Sequence, residues 1–341
     1  MRPFVAPPPR GAPTGAGDPS FSVLVPAYQA EATVAETVES ALAQTYPVHE
    51  VIVCDDGSTD GTAAALEPYR ERIVYLRKEN GGGASALNHA AARATGDFVV
   101  VLDSDDVYLP ERLEAIAALA RERPDLGLLM TDAWFEVEGE RVGRFAQENG
   151  FEVDDQRRGI LERCFIFAPA VRRDAVAAIG GWDEQLAIGY DWSCWMRLIF
   201  SGVPAGLVDE PLMHYRLREG SLASSRVEAL RDRVRVLDRV PEQLELTDQE
   251  RELFARARRV HEQRLKLADA ELGLNDGAPD ARTRLRAVAC DDGFDAPTRA
   301  KALAAMAAPG VARRLVRRRA GQGRTRLVRT SPGPAGAARD E

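Results

Sequence analysis

Five apolar runs separated by amphipathic stretches dominate the first 131 residues. Runs of β-branched and other apolar residues predict strands at 21–25, 51–54, 73–76, 98–102 and 126–131. Between these runs, apolar positions recur at helical spacing and predict helices near 34–42, 62–69, 84–94 and 110–124. Strands that alternate with helices in this way are typical of βαβ units. The pattern therefore predicts an α/β fold with a Rossmann-like, mostly parallel sheet flanked by helices.

The pattern weakens beyond residue 131 and becomes wholly helical towards the C-terminus. Trp192, Trp195 and Ile199 form an apolar helical stripe, and Thr247 with Glu250 fits a capping box at the start of another helix. We expect residues 21–240 to form one domain with two halves, 21–131 and 132–240. Residues 241–310 are expected to form an all-helical C-terminal extension.

The two ends of the chain have biased compositions. Residues 1–20 are rich in Pro, Gly and Ala and are expected to form a disordered leader without signal-peptide character. Residues 311–341 are expected to form a disordered tail, and positions 311–330 contain eight arginines and no acid. Such a run is either a solvated stretch or a segment attracted to anionic lipid, so peripheral contact with a membrane stays open.

Composition narrows the functional classes further. The 341 residues are 45% hydrophobic and 29% charged, as in ordinary globular proteins, and the net charge of −8 argues against nucleic-acid binding by the whole chain. The four cysteines form no CxxC pair, which favours free thiols over a zinc site or disulfide framework. No apolar stretch reaches the length that spans a bilayer. We expect a cytoplasmic protein, or one peripheral at the inner face of the membrane.

Acidic residues cluster directly after two of the predicted strands. One cluster runs from Asp55 to Asp60 and the other from Asp103 to Asp106. Taken singly, both are also common turn and helix-cap sequences. However, ligands of open parallel sheets bind at the carboxyl ends of the strands, where both clusters are expected to lie. Crowded carboxylates repel one another unless a cation joins them, and hard divalent cations also bind phosphate oxygens, so the pattern favours a metal-assisted phosphate ligand.

Further motifs follow in a characteristic order. A glycine run at 81–83 and Asn88 lie between the two acidic clusters, and Gly-Gly-Trp-Asp-Glu follows at 180–184. Tyr190-Asp191-Trp192 then precedes Trp195-Met196-Arg197-Leu198. This series, covering about residues 21–225, resembles the family-2 glycosyltransferases. The resemblance implies a GT-A fold, a nucleotide-sugar donor, inversion at the anomeric carbon, and a role in cell-envelope or polysaccharide biosynthesis. It also implies that residues 21–131 are the nucleotide-sugar-binding half of the domain and residues 132–240 the acceptor-side half.

The resemblance also implies roles for individual residues. Nucleotide contacts would fall to Pro26, Ala27, Tyr28, Asp55, Asp56, Gly82, Asn88, Asp103 and Ser104. Tyr28 would contact or stack on the base, and Asp56 would accept a hydrogen bond from uracil, with Asp55 supporting the turn. Asp105, with Asp103, would bind Mn²⁺ or Mg²⁺. Asp191 would be the general base that removes the proton of the acceptor hydroxyl, although its place before an apolar stripe also suits a helix cap.

One departure from the family pattern affects the phosphate side. The family often has Tyr-Arg-x-His, whereas this chain has Tyr215-Arg216-Leu217-Arg218. An arginine does not ligate a metal but pairs with phosphate oxygens, so Arg216 and Arg218 are phosphate-contact candidates and the need for metal is less firmly implied. His214 lies out of register and is expected to be an ordinary strand histidine.

Other functional classes stay open at this point. A dinucleotide dehydrogenase is disfavoured because Pro26-Ala27-Tyr28 replaces the glycine-rich turn after the first strand. A phosphoacceptor signalling domain would share the acidic loops but not the motifs at 180–198. A nucleotide-sugar-binding module without turnover is disfavoured by Asp105 and Asp191. The donor base is expected to be uridine, with thymidine or guanosine as alternatives, and the acceptor is a sugar, lipid-linked or other hydroxyl.

Overall fold

The computed structural model describes residues 4–5, 18–217 and 226–313. Its strands are β1 (Phe4–Val5), β2 (Phe21–Ala27), β3 (Glu50–Asp55), β4 (Val74–Arg77), β5 (Phe98–Val101), β6 (Val107–Tyr108), β7 (Leu128–Val137), β8 (Glu140–Arg144), β9 (Ala170–Arg172) and β10 (Ala205–Arg216). Most of the leader expected at 1–20, Arg218, and the arginine-rich stretch from 314 onward lie outside the described residues. Within the expected leader, Phe4–Val5 pairs with β10.

Helices flank these strands and fill the C-terminal part. They are α1 (Val34–Leu42), α2 (Thr62–Ala65), α3 (Gly83–Ala91), α4 (Arg112–Glu122), α5 (Phe145–Asn149), α6 (Gln156–Glu162), α7 (Arg173–Ala178), α8 (Tyr190–Phe200), α9 (Arg226–Arg239), α10 (Asp248–Asp276), α11 (Ala281–Ala289) and α12 (Ala296–Ala307). Short 3₁₀ helices occupy Glu67–Tyr69 and Val240–Gln243. The helix expected at 62–69 is therefore α2 followed by a 3₁₀ turn, since Pro68 lacks the amide hydrogen that a continuous helix needs.

One mixed sheet organises residues up to 217. Its order is β1-β10-β7-β9-β5-β2-β3-β4, with β6 on β10 and β8 on β7. The strands β2, β3, β4 and β5 are mutually parallel, as the βαβ pattern predicted. Beyond them, β9 runs antiparallel to both β5 and β7, while β10 is parallel to β7. As a result, β2, β3, β5, β7 and β10 all end at the same edge of the sheet.

Burial on both faces explains why the central strands read as continuous apolar runs. Residues 98–101 are buried throughout, and so are 51–55. Amphipathic helices cover the sheet, and α1 buries Val34, Val38 and Ala41. Trp182 and Trp195 are almost fully buried with edge-to-face rings, so these tryptophans belong to the core.

The chain divides into two compact units, residues 1–218 and 219–341. The described part of the second unit is helical, and the capping box of Thr247 and Glu250 forms at the start of α10 as predicted. Its core includes Leu274, Leu285 and Val288 from α10 and α11. The division falls before the boundary expected at 240 because α9 packs against α10. No described helix is long and apolar enough to cross a membrane.

Candidate functional site

The candidate site lies at the sheet edge where β2, β3 and β5 end. Tyr28 follows β2 and is 53% exposed, so its ring is accessible to a ligand. Pro26 and Ala27 are the last two residues of β2 and pair with the end of β3. Beyond this pairing, the Asp56 amide donates a hydrogen bond to the Ala27 carbonyl (2.8 Å). Backbone pairing thus holds the first three predicted nucleotide contacts next to the first acidic cluster.

Asp55 fixes the turn that follows β3. Its buried carboxylate accepts hydrogen bonds from the Ser58 amide (2.8 Å) and the Tyr75 hydroxyl (2.6 Å). Burial and the hydrogen bond to Asp55 raise the pKa of Tyr75 to about 12, so the phenol stays a donor. These contacts agree with a supporting role for Asp55.

Asp56 connects this turn to the glycine run. Its carboxylate accepts hydrogen bonds from the Lys78 ammonium group (2.8 Å), the Gly82 amide (2.7 Å) and the Gly81 amide (3.0 Å). Gly82, which precedes α3, has a φ of +87°. Glycine adopts this conformation without steric cost. Asp56 therefore sets the position of the loop that leads into α3.

The second acidic cluster forms a tight loop after β5. The Asp106 amide donates to the Asp103 carbonyl (3.0 Å) and closes the turn around Ser104 and Asp105. Burial, together with the charges of Asp105 and Asp191, raises the pKa of Asp103 to about 7. The loop thus concentrates negative charge where a cation would relieve it.

Asp106 anchors this loop to its surroundings. It is fully buried, one carboxylate oxygen accepts the Arg216 amide (3.0 Å), and its carbonyl accepts the Thr37 hydroxyl (2.8 Å). Burial and the neighbouring Asp103 and Asp105 raise the pKa of Asp106 well above its usual range. The acidic loop is consequently joined to both α1 and the end of β10.

The first turn of α8 lies close to the acidic loop. The charge of Asp191 acts on Asp103, and burial with the charges of Asp103 and Asp191 raises the pKa of Tyr190. Burial and the charges of Asp106, Asp103 and Asp191 raise the pKa of Tyr215. The fold therefore brings together Asp191 and the acidic loop, which the sequence places far apart.

Asn88 fastens the segment that leads into α8. Its amide donates to the Trp182 carbonyl and to Glu184 (both 2.8 Å) and accepts the Trp182 amide (2.8 Å). A Cβ atom on Gly181, whose φ is +76°, would lie 2.4 Å from the Asn88 side chain. Asn88, expected to contact the nucleotide, thus holds the Gly-Gly-Trp-Asp-Glu segment against α3.

Arg216 is engaged by carboxylates near this edge. Its guanidinium donates to both carboxylate oxygens of Glu36 (2.7 Å each) and lies 3.5 Å from Glu136. The hydrogen bond to Glu36 is the main cause that raises the pKa of Arg216. His214 is a strand residue that contacts Glu136 (2.6 Å). Arg218, the other phosphate-contact candidate, lies outside the described residues.

The acidic loop has the donor chemistry for a divalent cation. Within the described ranges, no group of three or more His, Cys, Asp or Glu side chains is arranged to hold a metal. Mg²⁺ is usually bound through one or two carboxylates together with substrate phosphates. Asp103 and Asp105 are thus the residues of this loop that would hold such a cation.

Comparison with known proteins identifies the family. Residues 22–180 match the model described as glycosyl transferase family 2. A putative teichuronic acid biosynthesis glycosyltransferase, TuaG of Bacillus subtilis (strain 168), is 31% identical over 217 residues, which cover 62% of this chain and 84% of TuaG. The chain belongs to the family-2 glycosyltransferases.

Solved structures agree with this family-2 glycosyltransferase in fold. The mannosyltransferase PcManGT from Pyrobaculum calidifontis, solved with GDP-Man and Mn²⁺, is 20% identical with a TM-score of 0.59, covering 96% of this chain and 89% of that one. S. aureus TarS 1–349, solved with UDP-GlcNAc, is 21% identical with a TM-score of 0.55, covering 89% of this chain and 92% of that one. At these identities the likeness is one of fold, and it confirms the expected GT-A-like architecture with a helical C-terminal region.

Several residues near the site carry no signal in the sequence of this glycosyltransferase. Lys78 and Glu36 are single charged residues in polar stretches of the sequence, and Arg112 is a charged residue at the start of a predicted helix. Their roles depend on contacts made across elements. Tyr190 and Tyr215 are members of the motifs quoted above, but the motifs alone gave neither tyrosine a role.

Proposed function

We propose that this glycosyltransferase moves a sugar from a nucleotide-diphosphate donor to an acceptor hydroxyl with inversion at the anomeric carbon. Membership of the glycosyltransferase family carries the proposal, and the electrostatic interaction between Asp191 and Asp103 supports a base near the acidic loop. An inverting transfer needs a base on one side of the reacting carbon and stabilisation of the leaving diphosphate on the other. Asp191 would supply the base, and a cation held by Asp103 and Asp105 would stabilise the departing diphosphate.

The donor would bind along the ends of β2, β3 and β5. Tyr28 would contact the base, Asp56 would accept a hydrogen bond from a uracil ring, and Arg216 would pair with phosphate oxygens. Asp103 and Asp105 would hold Mn²⁺ or Mg²⁺, which supplies positive charge to the diphosphate when bound. The UDP-GlcNAc and GDP-Man in the related structures support a nucleotide-sugar donor, with UDP-sugars our first choice.

Asp191 would accept the proton of the acceptor hydroxyl. The acceptor oxygen then forms a bond to the anomeric carbon while the bond from that carbon to the diphosphate oxygen breaks. The nucleotide diphosphate departs with the electron pair of that bond. TuaG, named for teichuronic acid biosynthesis, supports an acceptor in a cell-envelope polysaccharide, and we place the reaction on the cytoplasmic side.

A donor screen followed by two variants tests the proposal. Thermal shift with Mn²⁺ and a panel of nucleotide sugars selects the donor, and nucleotide release measures turnover. Asp105→Ala should abolish turnover and weaken Mn²⁺-dependent nucleotide binding while leaving the fold intact. Unchanged nucleotide affinity in Mn²⁺ for both Asp105→Ala and Asp103→Ala would remove the metal-site assignment.

Asp191→Asn tests the base. A positioned general base contributes about 10²–10⁴-fold, so turnover should fall by that order while donor binding and stability persist. Asp174→Asn, at an exposed position in the first turn of α7, controls for loss of charge at a helix start. Near-native turnover of Asp191→Asn would remove the base assignment and make Asp183 or Glu184 the candidates; the structure does not support the alternative helix cap, because the N-cap of α8 is Gly189 and Asp191 is the second residue of the helix. Donor binding by the wild type without any turnover would indicate a non-catalytic binding module.

A further inference from the structure

A buried arginine lies beneath the acidic loop. Arg112 is fully buried at the start of α4, and its guanidinium lies over the Tyr108 ring, 4.5 Å from the centroid. It donates hydrogen bonds to the Thr131 hydroxyl and to the Ala168 carbonyl (2.6 Å). Its Nε–H lacks a hydrogen-bond partner within the described part of the chain. The charge is therefore held by a ring, a hydroxyl and a carbonyl, and the charge of Asp106 also acts on it.

Such a group is costly to bury. Removing a guanidinium from water is strongly unfavourable unless its surroundings compensate for the lost hydration, and burial is the main cause that lowers the pKa of Arg112. An apolar side chain would fill the same volume without that cost. The question is therefore what the groups bound by Arg112 do.

One of the bound groups is a strained segment of backbone. Ala168 has φ of +41°, in the left-handed region that residues with a Cβ atom rarely occupy. It immediately precedes Pro169 and β9, which lies between β5 and β7. The hydrogen bond from Arg112 to the Ala168 carbonyl offsets the cost of this conformation and fixes the loop that enters β9.

The same loop carries an aromatic ring to the site. The centroid of the Phe167 ring lies 4.7 Å from that of the Tyr215 ring and 5.0 Å from that of the Phe145 ring. Tyr215 in turn lies within electrostatic reach of Asp103 and Asp191. A continuous series of contacts therefore leads from Arg112 through Ala168 and Phe167 to the groups around the proposed base.

Arg112 is also joined to the donor side. The Tyr108 ring beneath its guanidinium donates its hydroxyl hydrogen to the Val101 carbonyl (2.7 Å), two residues before Asp103. Arg112 thus contacts both the loop that enters β9 and the Tyr108 ring, which is hydrogen-bonded to the end of β5. Among the residues described above, it alone connects these two segments through a strained loop.

We infer that Arg112 is a positioning residue that holds Ala168 in its left-handed conformation and so keeps Phe167 and Tyr215 in place beside the acidic loop, to which the neighbouring Arg216 amide is hydrogen-bonded. Its catalytic consequence rests on the function proposed above. Loss of this hold should leave donor binding intact but impair the chemical step, because a displacement of about 1 Å at a reacting group costs up to about 10²-fold in rate.

Arg112→Lys tests the inference, since lysine keeps the charge but cannot bridge the hydroxyl and the carbonyl in the planar geometry of arginine. Wild type and variant are compared in Mn²⁺-dependent hydrolysis of UDP-GlcNAc and GDP-mannose, in which water replaces the acceptor. We expect kcat to fall about tenfold while the affinity for the nucleotide diphosphate changes less than about twofold. Hydrogen exchange across residues 163–170 should rise.

Rescue distinguishes positioning from general destabilisation. Glycine adopts positive φ without strain, so Ala168→Gly combined with Arg112→Lys should regain much of the lost kcat and of the exchange protection. Ala168→Val with Arg112 intact should reproduce the loss, because a β-branched residue resists positive φ. This last variant keeps the test decisive if Arg112→Lys fails to fold.

Arg172→Lys is the matched control. Arg172 also donates to two carbonyls, those of Pro124 (2.7 Å) and Leu126 (3.2 Å), and stacks on a ring, but it does so at the far end of β9. It should leave kcat and exchange at 163–170 unchanged. Unaltered exchange and hydrolysis in Arg112→Lys, or no rescue by glycine, would overturn the inference. Absence of hydrolysis in the wild type would count against the proposed function instead, and exchange would then decide the inference alone.

Discussion

At the scale of single residues, Asp56 shows how one carboxylate can serve both structure and ligand. It accepts three donors, from Lys78, Gly81 and Gly82. The Gly81 amide lies within hydrogen-bond distance of both carboxylate oxygens, so these donors use all of the roughly four lone-pair sites of the carboxylate. A uracil N–H would therefore replace one of the two contacts of the Gly81 amide. The expected contact with the base thus requires a small adjustment of the loop that Asp56 anchors.

Glu36 is predicted to weaken donor binding by competing for Arg216. The pair is bidentate, but the Glu36 side chain is 57% exposed, so exchanging the partner costs little. Glu36→Gln should free Arg216 for phosphate oxygens and tighten binding of UDP with Mn²⁺ about two- to fivefold. Isothermal titration calorimetry at fixed ionic strength measures the change.

Glu39→Gln provides the control for this prediction, because Glu39 is exposed on the same helix. It removes the same charge from α1 and should leave UDP affinity nearly unchanged. Weaker UDP binding in Glu36→Gln would mean that Glu36 orients Arg216 for the ligand and does not compete with it.

The sequence located half of this site and could not locate the rest. Asp55, Asp56, Asp103 and Asp105 follow buried apolar runs, and parallel strands carry such residues to a common edge. Asp191 is separated from them by a mixed segment, so only the family resemblance suggested that it lies nearby. Arg112 contacts Thr131 and Ala168, which are distant from it in the sequence, so no local sequence pattern predicts those contacts.

At the scale of elements, α3 and the segment before α8 are joined through Gly181 and Asn88. Gly180 and Gly181 both have positive φ, so alanine at either position should cost about 1–2 kcal/mol. A Cβ atom at 181 would also displace Asn88, whereas one at 180 meets nothing within 4 Å. Gly181→Ala should therefore lose at least about 1 kcal/mol more than Gly180→Ala, since it breaks hydrogen bonds of Asn88.

Urea denaturation of the two variants measures that difference, and Asn88→Ala completes the comparison. In the Asn88→Ala background, the two alanine substitutions should become equally costly. A persistent difference between them would show that Gly181 is required for a reason other than its contact with Asn88.

Glu50 is predicted to make stability depend on pH at the opposite edge of the sheet. Burial alone would raise the pKa of Glu50, but hydrogen bonds from Ser22 and Thr95 outweigh it and hold the pKa below its usual value. The folded state therefore binds this proton less tightly than the unfolded state. The stabilisation is present above the unfolded pKa and is lost as pH falls through the folded one.

Glu50→Gln should accordingly destabilise the protein by about 1 kcal/mol at pH 7, allowing for solvent screening, and by less as the pH falls below about 4.5. Unfolding free energies of both proteins from pH 3.5 to 7 test this. Glu71→Gln, at an exposed position, should show no such convergence. A constant difference between wild type and Glu50→Gln across the range would contradict the prediction.

Sequence patterns were most informative where elements are regular. The parallel strands β2 to β5 and their helices follow the predicted order, because burial on both faces produces continuous apolar runs. The mixed second half was harder to predict, since β9 has three residues and β10 pairs with β1, β6 and β7. Short strands and long-range antiparallel pairs leave little periodicity to detect.

At the scale of the whole molecule, the arginine-rich stretch is predicted to attract anionic membranes. Most of it lies outside the described residues, so the prediction rests on its eight arginines at 311–330. Each arginine near an anionic surface contributes about 1 kcal/mol, and the attraction fades within a Debye length. Binding should therefore be reversible and should weaken as salt is raised.

Co-sedimentation with vesicles containing phosphatidylglycerol tests this attraction. The full chain is compared with a chain that ends at Gly310, at low and at physiological salt. We expect the full chain to pellet at low salt and the shortened chain to remain in the supernatant. Equal pelleting of both would indicate that the arginines are only a solvated run.

The central position of β9 has a consequence for synthesis on the ribosome. Residues 170–172 lie between β5 and β7 and hydrogen-bond to both, yet they emerge after both. Until they are made, the nascent chain presents two separate partial sheets, each with an unpaired edge. Exposed edges of apolar strands are prone to pairing with other chains. A ribosome that pauses before residue 170 therefore holds the chain at its most aggregation-prone length.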